Sequence, residues 1–428
     1  MRVAMISYHT CPLATLGGKD TGGMNVYVRD LTRFLGLKGI HADVFTRSQD
    51  EHVPHVLHDL GYGNRVVHVP SGPEVPLPKR ELTKYLPNFT QGIQEFTNGK
   101  GIHYDLIHSH YWMSGQAGLE LKYKWGIPIV HMFHTLGQMK NRVAQSTEEK
   151  EGEYRLRGEE EVLRGVDRIV AATLAELAQL QWLYGADINK ISVIPPGVDL
   201  SHFYPIPVDE AKEYIGIPTS ERLILFVGRI EPLKGLDVLL EAMGKYCHLT
   251  NAKEPHIYLA VIGGDPEASP EEMDTEMSRL QALREEYGLG EMVAFLGKQS
   301  QDTLPYYYSA AEAVVMPSHY ESFGMVALEA MACGTPVVAS QVGGLAFLVK
   351  DGVTGYTVPA GDPEALCSRL SAIIENPDLR REMSEQAAAF AGGYSWEIIT
   401  ERIAALYEEV LQSSARRGLG GNPTQGGV

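Results

Sequence analysis

The sequence predicts an α/β protein built of two doubly wound domains facing a shared cleft. Three observations carry this. The chain has 428 residues, too many for one ordinary core. Short Val/Ile-rich runs alternate with helical patterns, as in parallel strands covered on both faces. The alternation breaks at a proline-rich stretch and then restarts.

In the first half the strand candidates are RVAMISY, HADVFTR, RVVHVP, DLIHSH, PIVHMFH, RIVAAT and ISVIPPG. Helical patterns such as GGMNVYVRDLTRFLGLKG and GQAGLELKYKWG lie between them. PPGVDLSHFYP has no periodicity and is read as the linker, giving domains 1–198 and 199–394. The second half repeats the scheme through RLILFVGRI, GLDVLLEAMGKYC, HIYLAVIGG, MVAFLGK, AVVMPS, GMVALEAMACG, TPVVAS and GYTVP. A long amphipathic helix at about 395–415 follows, then a Gly-rich tail, 416–428, expected to be flexible.

Lys and Arg number 37 against 54 Asp and Glu, a formal charge of −17. That excess argues against a general nucleic-acid binder, which needs a basic footprint. No run approaches the ~20 apolar residues of a membrane span, and the N-terminus has no signal-peptide core. Cys11, Cys247, Cys333 and Cys367 lack C-x-x-C spacing. They suggest a reducing cytoplasm, small buried hydrophobes and no metal framework.

Ligands of doubly wound sheets bind beyond the carboxyl ends of the strands, so the residues there are the site candidates. After the first strand comes a glycine-rich loop, 17–23, in which Gly22 and Gly23 open a helix whose free N–H groups suit a phosphate. His134 ends PIVHMFH. GRIEPLKG sets two cations, Arg229 and Lys234, in a post-strand turn suited to a diphosphate. HYESFGMVALEAMACG sets Glu321 in a loop and Glu329 on the following helix, with free amides near Phe323, Gly324 and Met325. Carboxylates accept paired hydrogen bonds from vicinal diols, as in a sugar or a ribose.

This combination resembles the retaining, nucleotide-sugar-dependent GT-B glycosyltransferases of family 4. GRIEPLKG, the Glu321-to-Glu329 element, PPGVD and the Gly-rich loop carry the resemblance, which spans the chain up to its tail. It implies two Rossmann-like domains, a C-terminal helix crossing back to the first, a UDP-sugar co-substrate, and no metal or other cofactor. By position, Arg229 and Lys234 would hold the diphosphate and stabilise departing UDP. Glu329 would bind the ribose, and Glu321 with the Phe323–Gly324–Met325 backbone would contact the donor sugar and phosphate. His134 would touch the sugar, Gly22 and Gly23 would pack on the diphosphate, and Gly297 and Lys298 would flank the base.

The first half is similar to the inositol-phosphate N-acetylglucosaminyltransferases of mycothiol biosynthesis through GGMNVYV, HSHYWMSG, HTLGQMKN and RLRGEE. That implies an acceptor phosphate pocket at Lys79, Tyr111, Thr135 and Arg155, with Asn25 and Lys140 facing the inositol ring. Gly137 and the shared HSHYW also fit sucrose-phosphate synthases, so fructose 6-phosphate or fructose stays open as acceptor, and glucose as donor sugar. The resemblance implies retention at the anomeric carbon; with no second carboxylate evident to act as nucleophile, a front-face transfer is expected, in a cleft that closes over its donor. A nucleotide-sugar 2-epimerase and a non-catalytic sugar-nucleotide binder are the readings of other classes. A homodimer is compatible with the sequence, and no membrane or nucleic-acid partner is expected.

Overall fold

The computed structural model describes residues 1–15, 21–144, 146–147, 149–250, 257–268, 273 and 275–419. Gly17, Gly18 and the tail beyond 419 lie outside the described residues. The strands of the first domain are β1 (Arg2–Ile6), β2 (His41–Arg47), β3 (Val56–Leu57), β4 (Arg65–Val69), β5 (Leu106–His110), β6 (Ile129–Met132), β7 (Arg168–Ala171) and β8 (Ile191–Val193). They form one sheet in the order β3-β4-β2-β1-β5-β6-β7-β8. Every pairing is parallel except β3 with β4. The second domain pairs β9 (Arg222–Val227), β10 (Ile257–Ile262), β11 (Val293–Gly297), β12 (Ala311–Met316), β13 (Val337–Ser340) and β14 (Gly355–Val358) in the order β11-β10-β9-β12-β13-β14, all parallel.

The apolar runs read as strands are buried because helices cover both faces. Val3, Ala4, Met5 and Ile6 of β1 are all 0% exposed. The two-residue β3 escapes sequence reading, since Val56–Leu57 is too short to show a period. The strand order reverses direction beside β1 in the first domain and beside β9 in the second. Both reversals open crevices toward one cleft.

The C-terminal helix, Trp396–Leu419, is longer than expected and packs on the first domain, against the helix Gly23–Leu37. Trp396 is fully buried, with its ring 5.3 Å from that of Tyr27. Burying an indole of this kind contributes roughly 5 kcal/mol, at ~25 cal/mol per Å2 over ~200 Å2. Lys38 pairs with Glu401 at 2.9 Å and Arg402 donates to the Val193 carbonyl at 2.7 Å. The chain therefore passes between the domains twice. The two passages touch: Val198 N–H donates to Tyr394 O (2.8 Å) and Trp396 N–H to Val198 O (3.1 Å). Cys333 and Cys367 are buried as expected, while Cys11 and Cys247 are only partly so. No helix among the described residues is long and apolar enough to cross a membrane.

Candidate active site

A cavity of about 310 Å3 lies between the domains. Its lining includes Gly22, Gly23, Asn25, Lys79, Tyr111, His134, Thr135, Lys140 and Arg155 from the first domain. From the second come Arg229, Lys234, Lys298, Glu321, Phe323, Gly324, Met325 and Glu329. Of the residues named from sequence, Gly297 alone is missing from the wall. It ends β11 at φ +66°, one residue behind Lys298.

The second-domain wall follows from two strand ends. After β9 the chain turns through Arg229 to Lys234 and closes at Gly235, φ +64°. A Cβ at Gly235 would lie 2.2 Å from the Pro317 carbonyl oxygen, so only glycine lets this turn lean on the end of β12. That contact sets Lys234 Nζ 2.5 Å from Glu321 Oε2. Arg229 Nη1 pairs with Glu231 at 2.6 Å. After β12, Gly324 caps the helix Met325–Ala332 at φ +109°. The first N–H groups of that helix have no intrahelical acceptor, and Gly324, Met325 and Val326 line the cavity.

Glu329 lies on the same helix, 5% exposed, and accepts from the Tyr308 hydroxyl at 2.8 Å. Burial pushes its carboxyl up to about 7. Glu321 therefore stands as a cation-paired carboxylate in the loop and Glu329 as a buried one on the helix, with its pKa raised.

The first-domain wall is built from the ends of β1, β5 and β6. Tyr111 after β5 (φ +74°) and His134 after β6 (φ +62°) are non-glycine residues held in the left-handed region. Each costs of order 1–3 kcal/mol, and such residues concentrate at functional sites. Arg155 Cζ lies 5.0 Å and Lys79 Nζ 5.8 Å from the Tyr111 ring centroid, so both cations sit beside one aromatic ring. Gly22 and Gly23 come close to the second domain. A Cβ on Gly23 would meet Met325 at 3.3 Å, and one on Gly22 would sit 3.8 Å from Arg229.

Two of these residues also have partners within the protein. Asn25 was expected to read the acceptor ring, but it is 1% exposed and its amide is engaged within the loop. Its Nδ2 donates to Thr10 Oγ1 and the Cys11 carbonyl (2.7 Å each), and its Oδ1 accepts from Gly22 N–H (2.9 Å). Asn25 ties the glycine loop to the end of β1 rather than facing a ligand with free donors.

Arg155 was expected to hold a phosphate, yet most of its donors are taken by the protein. It pairs with Glu159 (2.8 Å) and Glu151 (2.7 Å) and donates twice to Thr135 (3.0 Å each). Lys140 shares the same Glu151 oxygen at 2.7 Å. The flanking cations hold Glu151 below the ordinary carboxylate range against the opposing effect of burial. The pocket's cations thus sit around a built-in carboxylate.

Sequence reading missed Glu151 and His9. His9 lies three residues after the end of β1, lines the cavity, and lies 4.5 Å ring-to-ring from Tyr111. Its place at a strand's carboxyl end was the available signal. No group of three or more potential metal ligands occurs among the described residues.

The family model of glycosyl transferases group 1 matches residues 207–390, and that of glycosyltransferase family 4 matches 21–202. The chain is 41% identical to D-inositol 3-phosphate glycosyltransferase of Thermomonospora curvata over 95% of each chain. It is likewise 41% identical to that of Actinosynnema mirum, over 95% of this chain and 96% of the relative. Among solved structures, sucrose-phosphate synthase of Thermosynechococcus elongatus is 34% identical, with a TM-score of 0.87 and coverage of 96% and 99%. HepE of Anabaena, solved with UDP and glucose, shares the fold at 21% identity and a TM-score of 0.74, covering 96% of this chain and all of that one. The chain therefore belongs to the GT-B glycosyltransferases that join a family 4 N-terminal domain to a group 1 C-terminal domain, and is an enzyme of that class.

Proposed function

We propose that this enzyme transfers an N-acetylglucosaminyl or glucosyl group from a UDP-sugar to a hydroxyl of 1L-myo-inositol 1-phosphate (D-inositol 3-phosphate), with retention at the anomeric carbon. One observation carries the reading. A single cavity opposes the Arg229–Lys234 turn and a helix N-terminus on one side to Lys79, Tyr111, Thr135, Lys140 and Arg155 on the other. One wall suits a diphosphate leaving group and the other a phosphorylated polyol. The inositol-phosphate relatives at about 41% identity support this acceptor.

The departing β-phosphate gains charge as the glycosidic bond breaks. Arg229, Lys234 and the amides near Gly324 stabilise that charge, and the phosphate takes the proton of the incoming hydroxyl. Glu329 binds the ribose hydroxyls, and no metal is assigned a part.

The test is an acceptor screen with UDP-N-acetylglucosamine and UDP-glucose against inositol 1-phosphate, fructose 6-phosphate and fructose, with the product anomer followed by NMR. Transfer to inositol phosphate with an α-linked product is expected. An inverted product, or an epimerised donor formed without acceptor, sinks the proposal. Preference for fructose 6-phosphate would favour the second reading, which the sucrose-phosphate synthase likeness supports.

Donor binding has an expected pH dependence. Burial pushes the free Glu329 carboxyl up to about 7, above the usual acid range. Ribose hydroxyls donate to the ionised form, so binding lowers that pKa and affinity rises with pH. The slope approaches one proton below about pH 7 and flattens above it. An intact UDP-sugar suits the measurement because it lacks the terminal phosphate that itself titrates near ~6. Calorimetry at pH 6, 7 and 8 should show the rise in wild type and its loss in Glu329→Gln. Donor affinity unchanged in Glu329→Gln at every pH removes Glu329 from the ribose site.

A further inference from the structure

A row of imidazoles runs from the half-buried His134 at the cleft to the buried His110 and His108 in the first domain. His108 and His110 are two apart on β5 and so share one face of the sheet. His110 Nδ1 lies 3.0 Å from His134 Nε2. On its other side, the His110 ring is 4.3 Å from that of His108, whose Nδ1 lies 2.7 Å from the Tyr407 hydroxyl of the C-terminal helix. Tyr27 packs edge-on against both His110 and His134. His110 is 0% exposed, and its Nε2 has no partner among the described residues.

We propose that His110 is a positioning residue: its Nδ1–H donates to His134 Nε2 and fixes His134 as the Nδ1–H tautomer, a donor presented to the bound glycosyl group. The assignment of that glycosyl group rests on the function proposed above; the tautomer does not.

Both rings are neutral. Burial holds His134 at about 3 and His110 well below the ordinary imidazole range. Two neutral imidazoles that share a hydrogen bond hold one proton between the facing nitrogens. If His134 Nε2 carried it, the His110 proton would move to Nε2 and become a buried N–H with no acceptor. If His110 Nδ1 carries it, its Nε2 is only an unused lone pair. Orphaned buried donors are rarer than under-used acceptors, so the second arrangement is favoured.

His134 then has its remaining N–H at Nδ1. The ring is held by the left-handed backbone at φ +62° and by Tyr27 against it. An Nδ1–H can only donate. The group it meets must offer a lone pair, such as a sugar hydroxyl oxygen, and that hydroxyl is left to donate its own hydrogen elsewhere. His108 and Tyr407 hold the far side of His110, so this orientation is backed by the C-terminal helix.

The test labels histidine rings with 15N in the full chain and assigns the His134 signals by their loss in His134→Gln. Long-range 1H–15N spectra of wild type are expected to show the proton on Nδ1 of His134. His110→Asn retains a donor near the same place and should keep that tautomer. His110→Leu removes the donor and should release His134 to a mixture. Where transfer is measured, His110→Leu should lower kcat roughly 10- to 100-fold with little change in donor KM, and His110→Asn should recover most of it. A wild-type proton on Nε2 overturns the proposal, as does a His110→Leu protein with wild-type tautomer and kcat. Should His110→Leu not fold, wild type and His110→Asn still decide. The spectra need no substrate, so this result is separable from failure of the transfer reading.

Discussion

Lys234→Ala lowers kcat for glycosyl transfer by roughly 10²- to 10³-fold, the scale of losing one charged stabiliser of a developing anion. Two terms combine. The ammonium no longer meets the leaving diphosphate, and Glu321, its partner at 2.5 Å, becomes an uncompensated carboxylate in the same wall. The side chains are only 18% and 15% exposed, so water screens that repulsion weakly. The double variant Lys234→Ala/Glu321→Gln should therefore be faster than Lys234→Ala alone. Steady-state kinetics at saturating acceptor reads both. A single variant within about threefold of wild type would remove Lys234 from the chemistry.

Arg155→Met has the largest expected effect on stability. Arg155 and Glu159 are 2% and 0% exposed, and breaking a buried pair by removing one partner costs about 3–5 kcal/mol. Glu159 would retain Gly137 N–H and the Tyr184 hydroxyl but no cation. For a domain of this size the apparent melting midpoint should fall by roughly 10 °C. Arg155→Met/Glu159→Gln should recover much of the fall, because the stranded charge goes with its partner. If the single variant melts like wild type, the pair carries no net stability. Acceptor KM should rise in both variants, which separates the stability role from the binding one.

Sequence reading reached furthest where function is local. Arg229, Lys234, Glu321 and Glu329 all follow strand ends within a few residues of a glycine, so chain order alone placed them in the cleft. It could not show partners that lie far along the chain. Glu329 meets Tyr308, His110 meets His134, and Arg155 meets Thr135. None of these pairs shares a periodicity that a single chain displays. The internal bonds of Asn25 were legible in its spacing. It stands three residues after Gly22, the N3 position from which a side chain turns back to cap its own helix. The histidines of HSH at alternating positions on β5 were equally visible, but neither ring shows its purpose until β6 and the C-terminal helix lie beside it.

The paired passages of the chain between the domains limit how the cleft can move. A single covalent connection would let the domains swivel in any direction. Here Val198 and Tyr394–Trp396 form a hydrogen-bonded double strand, and the Trp396 ring lies beneath Gly197, where a Cβ would come within 2.6 Å of it. Twisting one domain against the other would shear those bonds, whereas bending across the ribbon leaves them intact. Two backbone hydrogen bonds, roughly 1 kcal/mol each, therefore stand against such a twist.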